Sequence, residues 1–225
     1  MPTRFCLEIG GDFACFTRPE MKVERVSYDI ITPSAVRAVF ESILWKSAIR
    51  WQPERIEVLA PIRWTTIRRN EVGSKLSAAN VKSAMQRGSG AVALYVEEER
   101  QQRASLLLRD VRYLVTASFL LTGRAGAEEN TQKFSEMFVR RAEKGQCINQ
   151  PYLGCREFAC DFRLVDPAAE PPTIPAELRG ERDLGWMLYD LDFRDAASPQ
   201  PRFFQAHMKD GVVNIPSWDS EEVRG

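Results

Sequence analysis

Histidine is almost missing from this chain: His207 is the only one in 225 residues. The usual acid–base side chain is therefore available at a single place, and a tetrahedral zinc site would have to be built largely from cysteine. The cysteines do not supply one. There are five, Cys6, Cys15, Cys147, Cys155 and Cys160, with no C-x-x-C pair among them, so no metal site is expected. Their odd number argues against a disulfide framework and for a reducing compartment, where they serve as small buried hydrophobes. No apolar run approaches the ~18 residues of a membrane span. The opening Met-Pro-Thr-Arg-Phe-Cys-Leu-Glu lacks an apolar signal core and passes straight into a strand-like pattern. These absences lead to the expectation of a cytoplasmic protein with no membrane partner. Excess charge of either sign is missing too, since 31 basic residues balance 31 acidic ones. Composition alone therefore does not point to nucleic acid. No solenoid-type repeat is visible, and no acidic cluster has metal-site character.

Charge is instead segregated along the chain. Residues 61–96 carry Arg63, Arg68, Arg69, Lys75, Lys82 and Arg87 against Glu71 alone, a balance of +5, whereas residues 166–225 carry twelve acids and six bases. A cationic middle and an anionic tail predict a surface with two kinds of partner.

The alternation of Phe5, Leu7 and Ile9 predicts a strand, ended by Gly10-Gly11-Asp12. Thr32-Pro33 predicts a helix start, followed by the stripe Val36, Val39, Phe40, Ile43 and Leu44. A second strand is expected around Arg55–Val58, resuming at Ile62 and Trp64. Residues 68–103, rich in Gly, Ser, Ala and bases, read as an exposed insertion, a hairpin or thumb-like projection. Val111–Leu121 alternates as a long strand. A second helix follows, then a strand bearing Phe158, Cys160, Phe162 and Leu164. The order strand, helix, strand, strand, helix, strand predicts an α+β fold of the ferredoxin-like βαββαβ kind over residues 1–165. Beyond it, residues 166–225 begin with a Pro-rich linker and continue as a small antiparallel β domain, with Lys209-Asp210-Gly211 as a hairpin turn. Trp45 and Trp51 are expected in the core.

The segment from Asn130 to Phe158 holds most of the candidate chemistry. Phe134, Met137, Phe138 and Ala142 form the apolar face of a helix. Lys133, Arg140 and Lys144 recur at i, i+7 and i+11 on another face, with Arg141 beside them, and Gly145 closes the helix. The loop behind carries Gln150, Tyr152 and Arg156, a set suited to phosphates and stacked bases. The plain alternative is a solvated helix face followed by a turn. In the insertion, Arg68, Arg69, Lys75, Lys82 and Arg87 are the matching RNA-binding candidates, against the alternative of a flexible loop with incidental charge.

Together these features resemble the Cas-five family of CRISPR-associated proteins in its type I-C (subtype d) form. The segments that carry the resemblance are Gly11-Asp-Phe-Ala-Cys-Phe-Thr-Arg-Pro-Glu20, Thr32-Pro-Ser-Ala-Val-Arg37, Glu41-Ser-Ile-Leu-Trp-Lys46, Ile67-Arg-Arg-Asn-Glu-Val72, Arg100-Gln-Gln-Arg103, Gln150-Pro-Tyr-Leu-Gly-Cys-Arg-Glu-Phe158 and Asp183-Leu-Gly-Trp-Met-Leu-Tyr-Asp190. The resemblance implies an RNA-recognition-like domain and a small C-terminal β domain. It also implies a metal-independent endoribonuclease without cofactor, which cuts CRISPR repeat RNA by attack of the 2′-hydroxyl and holds the 5′ end of the product. The implied partners are precursor CRISPR RNA and the other subunits of a type I-C surveillance complex; DNA stays open as a further partner. The family's usual Tyr, Lys and His fall on Leu44, Lys133 and Phe134, so Lys133 is the one implied catalytic residue this chain keeps. Tyr28, Tyr152 and Lys46 are candidates to replace the lost groups, whereas His207 lies outside the motif. Because two of the three positions differ, a non-catalytic guide-binding and assembly subunit stands as the alternative. A metabolite-binding module of the same fold is a third reading.

Overall fold

The computed structural model describes residues 3–21, 23–90 and 92–225. Its elements are β1 (Phe5–Ala14), α1 (Pro33–Ile43), β2 (Ile49–Val58), β3 (Trp64–Val72), α2 (Ala78–Arg87), β4 (Arg100–Leu121), α3 (Thr131–Glu143), β5 (Asp161–Val165), β6 (Glu181–Asp192), β7 (Gln200–Lys209), β8 (Val212–Asn214) and β9 (Val223–Arg224). The fold is α+β, with three helices and one mostly antiparallel sheet in the order β5-β1-β4-β2-β8-β7-β6. Strand β3 joins on β4, and β9 on β7. The strands after residue 166 continue the same sheet, because β8 pairs with β2 through Ile56 and Val213.

One face of the sheet is apolar and the other charged, as expected for antiparallel strands with a single covered side. Phe5, Leu7 and Ile9 of β1 point to the covered side and are buried. They meet α1 through Val36, Val39, Phe40 and Ile43, and α3 through Phe134, Phe138 and Ala142. Aromatic rings fill the centre: Phe138 lies 4.9 Å from Phe5, 5.5 Å from Phe40 and 4.8 Å from Trp51, centroid to centroid. On the opposite side, Glu8 of β1 pairs with Arg112 at 3.5 Å and with Arg163. Pro53 sits inside β2, where it has no N–H to donate; the register with β4 shifts between Pro53 and Arg55.

Three expectations need correction. The strand expected to carry Phe158 and Cys160 begins only at Asp161, with both residues in the preceding loop. The glycine pair does not end β1, which runs on to Ala14. Gly11 is there because a loop presses on it: a Cβ would lie 2.7 Å from the Ala159 carbonyl oxygen and 2.8 Å from Leu153 Cδ1. The strand predicted from Val111 is also far longer. β4 spans 22 residues, roughly 70 Å if fully extended. Its second half pairs with β1 and β2, while its first half pairs with β3 from Trp64↔Leu108 to Val72↔Arg100. The basic insertion is therefore a two-stranded arm with α2 at its end. No residue of α2 is buried.

Candidate nucleic-acid interface

Helix α3 begins where Asn130 accepts the Lys133 backbone N–H at 2.9 Å. Its apolar stripe anchors it to the sheet, which turns Lys133, Arg140 and Lys144 outward; all three are exposed. Among the described residues, none of the three forms an ion pair, in contrast to the arginines Arg4, Arg112 and Arg163 of the sheet, each held by a carboxylate. Three unneutralised cations on one helix attract an anion without first having to break an internal pair.

Arg141 behaves differently. Its Nη1 donates to the Ile43 carbonyl at 2.9 Å and so caps the last turn of α1. The adjoining carbonyls are met in the same way: Trp51 Nε1 donates to Leu44 O at 2.9 Å, and the Ile148 N–H to Ser42 O at 2.6 Å. Leu44 and Phe134 are fully buried, so the two positions that depart from the resemblance are core positions. Trp51 is in the core as expected, but Trp45 is not. Its indole is 59% exposed, because α1 ends at Ile43 and the chain turns outward one residue past Leu44.

The loop after α3 is a compact hairpin laid against the end of β1. Leu153 and Phe158 pair through backbone at 2.8 Å, Cys160 N–H reaches Pro151 O at 2.9 Å, and Cys15 N–H reaches Leu153 O at 3.0 Å. Gln150 is spent inside the loop, its Nε2 donating to Cys160 O at 3.0 Å. Tyr152 is 41% exposed and Arg156 is exposed at the turn. Gly154 takes φ +84° with its α-carbon directly against the Cys15 carbonyl, which leaves no room for a side chain.

This loop meets the root of the basic arm in a charged cluster. Arg69 of β3 pairs with Glu157 of the loop and lies 3.8 Å from Glu71. Arg25 lies 3.5 Å from Glu71 and 3.9 Å from Glu157, and Arg103 lies 3.3 Å from Glu71. Sequence reading had no signal for Arg25, whose partner Glu157 stands 132 positions away, and met Arg103 only within the resemblance segment Arg100–Arg103. Within the cluster, the Cys155 sulfur lies against Cys15, 4.0 Å from its carbonyl oxygen, and accepts a hydrogen bond from Arg25 Nη1 at 3.5 Å. Both side chains favour the thiolate and hold Cys155 down to about 6, whereas the buried Cys15 is pushed up by the same contact and by desolvation.

The remaining arm candidates, Arg68, Lys75, Lys82 and Arg87, are all exposed. Arg68 alternates with Arg69 along β3 and therefore faces the opposite side. The structure thus brings Arg69, Arg156 and Tyr152 to one corner, sets Lys133, Arg140 and Lys144 along one helix, and leaves Lys75, Lys82 and Arg87 on the arm. Tyr28 is buried, Lys46 is exposed beside Trp45, and His207 is exposed on β7 with Nδ1 3.9 Å from Asp183. Among the described residues, no group of three or more His, Cys, Asp or Glu is arranged to hold a metal ion, and no helix is long and apolar enough to cross a membrane.

Comparison with known proteins adds to this geometry. The profile of a family described as CRISPR-associated protein (Cas_Cas5), labelled Cas5d, matches residues 5–216. A protein named CRISPR pre-crRNA endoribonuclease Cas5d from Mannheimia succiniciproducens is 50% identical over 226 residues, covering 100% of both chains. One of the same name from Thermus thermophilus is 38% identical, covering 98% of this chain and 94% of its own. Among solved structures, a CRISPR-associated protein superposes with a TM-score of 0.70 at 19% identity, covering 100% of this chain and 97% of that one. A chain of a CRISPR RNA-guided surveillance complex superposes with a TM-score of 0.56 at 13% identity, covering 96% and 90%. The two superpositions speak to the fold.

Proposed function

Since this chain belongs to the CRISPR-associated Cas5 family, in its Cas5d branch, we propose that it binds CRISPR repeat RNA, cuts the precursor transcript and stays on the 5′ end of the product as a subunit of a surveillance complex. The observation that carries this reading is the row of unpaired cations on α3, Lys133, Arg140 and Lys144, with a second set of exposed cations on the basic arm. In the proposed reaction the 2′-oxygen beside the scissile phosphate attacks phosphorus and loses its proton, while the bond to the 5′-oxygen breaks and that oxygen is protonated. The products are a 2′,3′-cyclic phosphate and a 5′-hydroxyl. Lys133 holds the negative charge that builds on the phosphorane oxygens, and the other cations align the backbone for in-line attack. No step calls for a metal or cofactor.

The strand order β5-β1-β4-β2, with α1 and α3 packed on one face, supports a ferredoxin-like core over residues 1–165. Residues 166–225 then form an appended β unit that shares its sheet, and their acidic surface is a candidate for contact with neighbouring subunits. Arg69 and Arg141 hold the interface together, while Arg68, Lys75, Lys82, Arg87, Arg140, Lys144, Tyr152 and Arg156 are its outward-facing members.

The burial of Leu44 and Phe134 favours a second reading, in which the chain holds guide RNA without cutting it. Incubation with labelled repeat RNA in EDTA separates the two. A single cut with a cyclic-phosphate end is expected, and Lys133→Ala is expected to slow it by about 10²–10³-fold. Tight binding with no product at enzyme excess would establish the second reading.

A further inference from the structure

The exposed indole of Trp45 has an unusual setting. A large aromatic side chain in solvent forgoes the burial that normally favours it, yet the backbone around it is held as firmly as the core. The Ser42 carbonyl accepts from Ile148 N–H at 2.6 Å, Ile43 from Arg141 Nη1 at 2.9 Å and Leu44 from Trp51 Nε1 at 2.9 Å. On the other side, the Lys46 carbonyl accepts from Ile49 N–H at 3.2 Å, Ser47 from Thr122 Oγ1 at 2.7 Å and Ala48 from Thr122 N–H at 2.8 Å. Three residues before Trp45 and three after it are thus pinned to β2, β4 and the end of α3, and the side chain between them is left 59% exposed.

The surroundings indicate what the indole meets. Lys46 is exposed beside it. Arg141, which reaches over to cap α1, places its neighbours Arg140 and Lys144 on the exposed side of the same helix end. Among the described residues, no carboxylate pairs with these three cations. A flat, rigid π-face bordered by unneutralised cations has the makings of a single-strand nucleic-acid site: a base stacks on the ring and its flanking phosphates reach the lysines and arginine.

We propose that Trp45 is a stacking platform for one unpaired base of the bound RNA, and that Lys46, Arg140 and Lys144 hold the adjoining phosphates. Arg141, whose guanidinium meets the chain two residues before Trp45, stands about 12 Å from Lys133 along α3. The platform would therefore set which nucleotide stands near Lys133. This rests on the RNA reading above and adds to it a residue that determines register.

The test is an affinity measurement at fixed salt with repeat RNA and with a series of the same RNA lacking one base at a time. Trp45→Ala is expected to weaken binding about tenfold and Trp45→Phe by less, with the salt dependence unchanged because no charge is removed. One abasic position is expected to weaken wild type by the same factor and to have no further effect on Trp45→Ala. Wild-type affinity in Trp45→Ala would overturn the proposal and assign the indole to a protein neighbour. Loss that adds to every abasic position alike would overturn it too, as would a melting temperature several degrees lower, which would mark a packing residue. Failure of the wild-type protein to bind repeat RNA at all would instead refute the RNA reading.

Discussion

A single glycine holds the loop after α3 in place. Gly154 puts its α-carbon against the Cys15 carbonyl at a backbone angle that other residues rarely adopt. Gly154→Ala therefore combines a clash with strain, and a loss of about 3 kcal/mol in chemical denaturation is expected. The neighbouring Cys155 makes a prediction of a different kind. Its thiol is held at about 6 against an ordinary value of 9.0. A depressed folded-state value adds stability that is complete above 9.0 and is lost as pH falls through about 6. The raised Cys15 thiol works the other way, adding stability below its ordinary 9.0 and losing it at higher pH. Stability should thus rise with pH between about 6 and 9 through Cys155. Denaturation midpoints across that range should show the slope in wild type and a shallower one in Cys155→Ser.

At the scale of elements, helix α1 is tied to the C-terminal strands by one arginine. Arg37 donates to both oxygens of Asp190 on β6, at 2.5 and 3.0 Å, and to Glu41 one turn along at 2.6 Å. Desolvation alone would lower its pKa, yet these carboxylates raise it. Removing one partner leaves the other charge poorly solvated and unpaired, so Arg37→Ala should cost about 3 kcal/mol. Asp190→Asn should cost somewhat less, and the double variant less than the sum, which a double-mutant cycle in urea would measure. Helices α1 and α3 were legible in advance from their apolar stripes, α1 also from its Thr32 cap, whereas α2 was not. The tie between α1 and β6 was not, because the two residues stand 153 positions apart.

For the molecule as a whole, the basic arm is separable from the core. None of α2 is buried, and Gly73 N–H meets Glu99 O at 2.8 Å where the arm's strands end. Replacing residues 74–98 by a two-residue turn should change stability by no more than about 0.5 kcal/mol. It also removes Lys75, Lys82 and Arg87, so the slope of log affinity against log salt for repeat RNA should fall by about 2 to 3. An unchanged slope would mean that the arm's cations do not reach phosphate. The charge segregation along the chain that suggested this partition is preserved in space, with the arm at one end of β4 and the acidic residues on the β6–β9 side of the sheet.

The sequence by itself determined most core elements, their order and the identity of the basic helix, because periodicity and caps act over a few residues, but not α2 or the long first half of β4. Its helical stripe also made Phe134 a core residue, and the family resemblance set Lys133 apart. Tertiary structure alone decided what each cation is free to do. Arg140 and Arg141 are adjacent in the chain, yet one faces solvent and the other caps a helix 98 residues earlier. Arg69 is bound to a glutamate 88 positions on, and Trp45 is exposed while Trp51 is buried. A charged or aromatic side chain costs little on either side of such a choice until the partner that neutralises or covers it is in place, and those partners come from distant strands.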